Sequence, residues 1–352
     1  MSSSAIKRQL GNVLYNTATS VPPLRPWLKR WGLRTSQAWF EGRAPVAESR
    51  RSGCRVKLPS FSENYLSFEL FWRGLDYYEP LTTALAEKLT ESTRLFVDAG
   101  ANIGFYSLRL AAVRPELEIV SFEPHPRLNA LLNANVRANN FTRVKPEAIA
   151  LSSHEGTMPF YLNSSDMSSS LEPGFDSNHT SVVTVQVTNL DAYLARRGGV
   201  PERFLMKVDV EGHEPAFFEG AEETLRRYRP DIIAEAAVPY PERTIALLRR
   251  CGYAFWQVTD RGLLPCDAPA AFLRDSLVFL NCLLTTRPED ELAPLSAHLQ
   301  AEARTIDLGQ TSKRADPRVL ERCRNVFSIP APPPPVRSLA GLPGRWPNPQ
   351  TR

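Results

Sequence analysis

Short apolar runs and segments with helical periodicity alternate through the middle of the chain. LFVDAG (95–100) and EIVSFEP (118–124) are compact hydrophobic runs with an acidic residue near the end, a pattern typical of buried parallel strands. The segments 104–113 and 126–139 repeat their apolar residues at helical spacing, and a third strand is predicted at 144–153. This alternation predicts a parallel α/β sheet with right-handed crossovers.

The pattern resumes after an insertion. The insertion holds predicted strands at 157–162 and 181–188, which flank a polar, serine-rich loop. A loop of this length inside a compact domain is usually either functional or disordered. Two more buried strands are predicted beyond the insertion, FLMKVD (204–209) and DIIAEA (231–236).

The last predicted strands belong to a different arrangement. The run 253–265 turns at Arg261-Gly262, and a final apolar run covers 276–285. Because helices no longer alternate with strands here, we expect an antiparallel hairpin at this edge of the sheet.

The two ends of the chain lack this regularity. We therefore divide the chain into an N-terminal helical extension (1–74), an α/β domain (75–286) and a C-terminal extension (287–352). Pro residues (30) outnumber Gly residues (18), and many of them lie beyond about residue 330. A segment of this composition cannot bury a core, so we predict a disordered tail there.

Composition excludes several classes of protein. The net charge of +4, from 42 basic and 38 acidic residues, is too weak to indicate a nucleic-acid partner. No apolar run approaches the roughly 18 residues of a membrane-spanning helix, so we expect no transmembrane segment. Scattered cysteines without a CxxC pair predict reduced thiols and a cytoplasmic protein. These cysteines are Cys54, Cys251, Cys266, Cys282 and Cys323.

The turn DAGANIG (98–104) follows the first strand, where doubly wound sheets bind cofactors. A dinucleotide-binding turn reads GxGxxG, but Asn102 and Phe105 occupy its second and third glycine positions. Asp98 would repel a pyrophosphate, whereas it suits a ligand with an ammonium group and no phosphate. S-adenosylmethionine is such a ligand, so the turn favours this methyl donor over NAD.

Two further positions extend the predicted donor pocket. Glu123 ends the second strand, where a carboxylate can accept hydrogen bonds from ribose hydroxyls. Ala148 lies at the end of the third strand, where the chain is expected to pass an adenine edge.

A second concentration of ionisable groups ends the fourth strand, in KVDVEGHE (207–214). Crowded carboxylates at a strand end can act as general bases or hold a hard cation such as Mg²⁺. Lys207 is expected either to pair with one of these acids or to act in catalysis. The candidate catalytic residues are Asp209, Glu211, His213 and Glu235, which ends the fifth strand, and we favour a carboxylate over His213 as the base.

Taken together, these segments resemble the FkbM family of S-adenosylmethionine-dependent methyltransferases. The resemblance covers about 75–285 and is carried by YYEP (77–80), FVDAGANIGFYSL (96–108), VSFEPHP (120–126), EAIALSSHEG (147–156), SSDMSSSL (164–171), LMKVDVEGHEPAFFEGA (205–221) and DIIAEA (231–236). It implies a Rossmann-like class I methyltransferase sheet of seven strands with an antiparallel last strand. It also implies O-methylation, often of sugar hydroxyls or glycosylated natural products.

Matching motifs suggest which residues bind the donor. The resemblance places the methionine end of the donor against Asp98, Gly100, Asn102 and Gly104 and its ribose against Glu123, with Glu79 at the border of the pocket. It places Asp209 and Glu211 beside the transferring methyl group. Ala101, in the same turn, is also assigned to the donor site. Ala99 departs mildly from the family, which more often has Val or Ile there.

The resulting hypothesis is a methyltransferase that acts on a hydroxyl of a sugar, glycan or glycosylated natural product. Its partners are S-adenosylmethionine and a small-molecule or carbohydrate acceptor, with no nucleic acid. The alternatives are an RNA or protein methyltransferase, an NAD-dependent oxidoreductase, and an inactive Rossmann-like binding protein. The sequence leaves open the acceptor, a divalent cation such as Mg²⁺ and the oligomeric state.

Overall fold

The computed structural model describes residues 44–163, 168–175, 179–236, 239–269 and 281–305. The strands in these ranges are β1 (Val46–Glu48), β2 (Arg55–Lys57), β3 (Leu95–Ala99), β4 (Glu118–Phe122), β5 (Val144–Glu147), β6 (Ile149–Leu151), β7 (Gly156–Asn163), β8 (His179–Thr188), β9 (Leu205–Val208), β10 (Asp231–Glu235), β11 (Ala254–Thr259), β12 (Gly262–Cys266) and β13 (Asn281–Thr285). The α-helices are α1 (Tyr65–Arg73), α2 (Pro80–Thr90), α3 (Phe105–Val113), α4 (Pro126–Ala138), α5 (Leu190–Arg197), α6 (Glu214–Glu219), α7 (Glu222–Tyr228), α8 (Glu242–Arg250) and α9 (Glu289–Thr305).

A mixed sheet forms the centre of the protein. Its strand order is β12-β11-β13-β10-β9-β3-β4-β5. The strands β5, β4, β3, β9 and β10 are parallel, and β13 inserts antiparallel between β10 and β11. The predicted Rossmann-like sheet with an antiparallel last strand is therefore confirmed.

The predicted number of strands is wrong: among the described residues the sheet has eight strands and not seven. The run 253–265 forms two strands, β11 and β12, joined at Asp260 and Arg261. Gly262 closes this turn with a φ of 96°, a left-handed conformation that favours glycine. The first part of the predicted strand 276–285 lies outside the described residues, and β13 forms its end.

Apolar side chains cover both faces of the sheet. On one face, Phe96, Leu205 and Leu283 are fully buried in a core beneath α2 and α3. On the other face, Met206 and Ile232 belong to a second core that includes residues of α5, α7 and α8. Burial on both faces explains why these strands appear in the sequence as continuous hydrophobic runs.

The insertion builds a small second sheet with the order β6-β8-β7. Both predicted strands of the insertion are present, as β7 and β8. The predicted third strand, 144–153, is divided: β5 pairs with β4, whereas β6 leaves the main sheet and pairs with β8. Both halves are partly buried, although each contributes to a different sheet.

The described parts of both extensions pack onto the α/β core. Ala47 and Leu58, near the β1–β2 pair, are fully buried against it. Leu292 and Leu299 of α9 are also buried in this core. Residues 1–43 and the proline-rich tail lie outside the described residues. None of the helices in the described ranges has the length and apolarity needed to cross a membrane.

Candidate active site

A cleft lies at the carboxyl ends of β3, β4 and β9, with about 940 Å³ of empty space that is partly open to solvent. From β3 the chain builds the sheet outward through β4 and β5 and then returns to place β9 on the other side of β3. Loops diverge at such a reversal, so doubly wound sheets bind their ligands there. The charged residues that line the cleft are Asp98, Glu123, Lys207, Asp209 and Glu211.

Of the twelve predicted site residues, seven line this cleft. They are Asp98, Gly100, Ala101, Asn102, Glu123, Asp209 and Glu211. The structure thus brings the two predicted motifs, which are more than a hundred positions apart in the sequence, to one cavity. The other five are not among its lining residues: Glu79, Gly104, Ala148, His213 and Glu235.

The glycines of the β3–α3 turn are required by the protein's own packing. Gly100 has a φ of 82°, and a Cβ there would lie 1.8 Å from the backbone oxygen of Asp209. Gly104 has a φ of 89°, and its Cβ would lie 2.3 Å from Leu132 Cδ1. Gly100, which also lines the cleft, lets the turn after β9 pass against the β3 turn, which places the two motifs in contact.

Asp98 is buried at the end of β3. Ser107 Oγ, on α3, donates a hydrogen bond of 2.5 Å to Asp98 Oδ2. Burial raises the pKa of Asp98 to about 6, although the Ser107 hydrogen bond and the Lys207 charge oppose this shift. A carboxyl in this state ionises readily when a cationic ligand enters the cleft.

Glu123 organises the neighbouring loops. Its Oε2 accepts a hydrogen bond from the Asn102 backbone N–H at 2.7 Å, and its Oε1 accepts one from the His125 N–H at 2.8 Å. Burial raises the pKa of Glu123 to about 7, against the effect of these two hydrogen bonds. Each oxygen has a second lone pair, so the carboxylate can still accept hydrogen bonds from a diol.

A group of acids lies at the ends of β9 and β10. Lys207 Nζ donates a hydrogen bond to Asp209 Oδ2 at 3.0 Å. Lys207 therefore forms an ion pair with one of the neighbouring acids, which was one of the two roles predicted for it from the sequence. Carboxylate oxygens of Asp209, Glu211 and Glu235 lie within 4.8 Å of one another. Asp209 and Glu211 line the cleft, whereas Glu235 is buried and does not line it. Such a group can take up a proton or ligate a hard cation.

His213 is buried beside the cleft and does not line it. Its Nδ1 contacts Glu172 Oε1 at 2.6 Å, and its Nε2 contacts Ser152 Oγ at 2.9 Å. Its neighbour Glu214 accepts hydrogen bonds from the Val210 and Gly212 backbone N–H groups. Both side chains therefore shape the turn that follows β9.

Two expected donor-pocket residues are displaced from the cleft. Ala148 is exposed between β5 and β6, and Ile149, Ala150 and Leu151 line the cleft instead. The difference arises because the chain changes sheets at this point, which the sequence did not reveal.

Glu79 lies fully buried behind the cleft and accepts hydrogen bonds from Tyr106 and Asn281. Tyr106 itself lines the cleft, beneath Lys207, but sequence analysis did not select it. Its position in the first turn of the helix after the glycine turn was the only available signal.

Comparison with known proteins agrees with this geometry. Residues 98–255 match the Methyltransferase FkbM domain. The chain is 33% identical over 145 residues to Methyltransferase sdnD of Sordaria araneosa. The matched region covers 40% of this chain and 50% of that relative. It is 28% identical over 145 residues to Methyltransferase 1 of Beauveria bassiana (strain ARSEF 2860), covering 36% of this chain and 58% of that protein. The chain thus spans about half the length of these curated relatives.

Solved structures of methyltransferases share parts of this architecture at low similarity. The methyltransferase FkbM from Methylobacillus flagellatus KT has a TM-score of 0.37 and 14% identity, over 73% of this chain and 59% of that chain. The O-methyltransferase from Bacillus cereus, in complex with SAH, has a TM-score of 0.32 and 14% identity, over 59% and 82% of the two chains.

The strand order, with β13 inserted antiparallel, defines a class I, Rossmann-like methyltransferase fold. Residues 98–255 of this fold match the methyltransferase FkbM domain. The resemblance seen in the sequence motifs is therefore confirmed.

Proposed function

We propose that this protein transfers a methyl group from S-adenosylmethionine to a hydroxyl of a sugar, glycan or glycosylated natural product. The observation that carries the proposal is the shared cleft of Asp98 and Glu123, two buried carboxylates on adjacent strand ends. Their chemistry fits a ligand with a cationic amino acid end and a ribose diol. The match of residues 98–255 to the methyltransferase FkbM domain supports the methyl-transfer part of the proposal.

We assign each part of this donor to residues that line the cleft. Asp98 would pair with the α-ammonium group, and Glu123 would accept hydrogen bonds from the ribose hydroxyls. Ile149 and Leu151 offer an apolar surface for the adenine. Bound S-adenosylmethionine supplies an electrophilic methyl group on a sulfonium, which would lie towards Asp209 and the acids beside it.

Glu211 is the carboxylate that we assign as general base. It lines the cleft, whereas Glu235 does not. Its backbone holds a left-handed φ of 53°, a strained conformation that often occurs at functional sites. An alcohol is a poor nucleophile at neutral pH, so a carboxylate that removes its proton during methyl transfer increases the rate.

Calorimetric titration with S-adenosylhomocysteine and a tritiated methyl-transfer screen test the proposal. The screen should include alkyl glycosides, free sugars, RNA and protein. We expect donor binding and label on a glycoside hydroxyl. Label on RNA or protein would replace the proposed acceptor, and absence of donor binding would leave only a Rossmann-like scaffold.

Glu211→Gln is expected to lower turnover by about 10²- to 10⁴-fold, the usual contribution of a general base. The affinity for S-adenosylhomocysteine should change little, since the donor is held by Asp98 and Glu123. Rates with the acceptor found in the screen and calorimetry measure the two effects. Glu202→Gln, at an exposed position, is the matched control.

A divalent cation is the alternative means of activating the hydroxyl, and the same acids would hold it. Turnover of the wild type should therefore be compared with and without EDTA. Activity that survives the chelator supports Glu211 as a general base. Activity that is lost with EDTA and restored only by Mg²⁺ would show that the acids bind a cation which activates the hydroxyl. Unchanged turnover in Glu211→Gln would move the base to Asp209 or Glu235.

Donor affinity is expected to fall as the pH is lowered from about 8 to about 5.5. The pKa values of Asp98 and Glu123 are raised by burial to about 6 and about 7, so both carboxyls carry protons at the acidic end. A protonated Asp98 cannot pair with an ammonium group, and a protonated Glu123 accepts weaker hydrogen bonds from the ribose hydroxyls than the carboxylate does. Calorimetry across this range should show the loss, and Glu123→Gln should flatten it.

The unliganded protein should show the opposite trend in stability. The folded-state pKa values of these two acids lie above their unfolded values, so the folded protein binds more protons between about pH 4 and pH 7. Their contribution to the free energy of unfolding therefore falls as pH rises through this window.

For the donor-affinity prediction, an affinity that does not change with pH would contradict the assigned role of the two carboxylates.

A further inference from the structure

His213 connects the turn after β9 to residues 168–175, the described part of the serine-rich loop. Its Nδ1 lies 2.6 Å from Glu172 Oε1, and its Nε2 lies 2.9 Å from Ser152 Oγ. The histidine is 3% exposed, so its contact with Ser152 is buried, whereas the Glu172 side chain is 45% exposed. Both ring nitrogens are therefore engaged in the protein wall, and the ring is not placed to receive a proton from an acceptor.

Two more contacts join the same segment to the same turn. Ser170 Oγ donates a hydrogen bond of 2.7 Å to the backbone oxygen of Glu211. A Cβ on Gly212 would lie 2.6 Å from Phe175 Cδ2, so the aromatic ring packs directly on this glycine. The segment 168–175 is thus fastened at three points to the turn that carries Glu211.

The fastened segment also forms part of the cleft. Ser169 and Leu171 line the same cavity as Asp98 and Glu123. These two residues flank Ser170, which pairs with Tyr161 of β7 through backbone hydrogen bonds of 2.8 and 3.1 Å. A change in the position of this segment would therefore alter the wall around a bound donor.

We propose that His213 and Glu172 form a latch that fixes segment 168–175 as a wall of the cleft, which makes His213 a positioning residue. The consequence for donor affinity rests on the proposed function, because that function assigns the cleft to S-adenosylmethionine. A hydrogen bond to a carboxylate contributes more than a neutral one, so Glu172 is the stronger of the two ring partners.

Two amide substitutions separate the ring contacts. In His213→Asn, the amide reaches the former Nδ1 position and can keep the bond to Glu172. In His213→Gln, the amide reaches the former Nε2 position and keeps only Ser152. Glu172→Ala removes the carboxylate partner and is well tolerated by folding, since its side chain is 45% exposed. His154→Gln, at an exposed histidine in the neighbouring turn, is the control.

Hydrogen–deuterium exchange of peptides covering 168–175 measures the latch without any ligand. We expect His213→Gln and Glu172→Ala to raise the exchange rate about tenfold, the effect of one lost hydrogen bond to a charged group. His213→Asn should remain near the wild type, and His154→Gln should equal it. Affinity for S-adenosylhomocysteine should weaken about fivefold in the first two variants only.

Each other outcome overturns a defined part of the proposal. Unchanged exchange in His213→Gln and Glu172→Ala would exclude the latch. Equal exchange in His213→Asn and His213→Gln would exclude Glu172 as its partner. Faster exchange with unchanged affinity for S-adenosylhomocysteine would show that the latch exists but that segment 168–175 does not contribute to donor binding. If the wild type does not bind S-adenosylhomocysteine, the proposed function fails, while the exchange rates still decide whether the latch exists.

Discussion

Replacing Asp98 by asparagine is expected to weaken S-adenosylmethionine binding by about 100-fold or more, since a buried hydrogen bond between charged groups contributes about 3 kcal/mol. Asp98 is buried at the floor of the cleft, so water cannot replace it as a partner for an ammonium group. Asparagine keeps the size of the side chain and an oxygen for Ser107, but it removes the negative charge. Calorimetry with S-adenosylmethionine and S-adenosylhomocysteine measures the loss.

The folded state should survive this change. Burial already raises the pKa of Asp98 to about 6, so the neutral form is tolerated at this position. We therefore expect the free energy of unfolding at about pH 8 to stay level or to rise, which urea titration can check. Asp267→Asn, at an exposed position, serves as the control. Donor affinity like that of the wild type would remove Asp98 from the binding site.

Replacing Arg109 by methionine should lower the free energy of unfolding by about 3–5 kcal/mol, the cost of leaving buried partners of an ion pair uncompensated. Arg109 is 1% exposed on α3. Its Nε donates to Glu87 Oε1 at 2.5 Å, its Nη2 to Asp76 Oδ1 at 2.7 Å and its Nη1 to the Leu75 backbone oxygen at 2.7 Å. Methionine fills much of the volume but makes none of these hydrogen bonds.

The matched control is Arg114→Met, at the end of the same helix. Arg114 pairs with Glu116, and the two side chains are 26% and 63% exposed. Exposed pairs contribute about 1 kcal/mol or less, so the control should unfold close to the wild type. Urea titration of both variants gives the comparison. Equal stability of the two would show that the buried charges around Arg109 are dispensable for the fold.

The Arg109 cluster also explains how the chain outside the α/β core is held. Arg51, which precedes β2, pairs with Glu87 at 2.6 Å and with Glu302 of α9 at 3.4 Å. Because Glu87 also binds Arg109, the N-terminal strand pair, α2, α3 and α9 meet at one group of charges. Sequence analysis gave no sign of this group, since its members are isolated charged residues separated by up to 250 positions.

Much of the cleft that we propose as the active site was predictable, because its acidic residues follow strands that bury both faces. A run such as 95–99 admits few polar residues, so Asp98 stands out at its end. The same reasoning selected Glu123 and Asp209, and all three line the cleft. Ala148 was placed wrongly because the sequence does not show that the chain leaves the main sheet after β5.

His213 illustrates what the motif alone could not settle. Its place beside Asp209 and Glu211 suggested a base, since ionisable residues next to a strand end often act in catalysis. The three residues are close in sequence, yet the turn after β9 directs Glu211 into the cleft and His213 into the wall. Its partners Glu172 and Ser152 come from other parts of the chain, so only the folded arrangement reveals their contact.

The amino-acid order determined the parallel strands and the acids at their ends, because burial and backbone geometry act on neighbouring residues and leave a periodic pattern. The tertiary structure decided which of those acids share a cavity, how the turn after β9 meets Gly100, and which side chains are tied into the wall. Such contacts join residues as far apart as Glu79 and Asn281. They depend on how whole elements pack in three dimensions, and no local pattern records that packing.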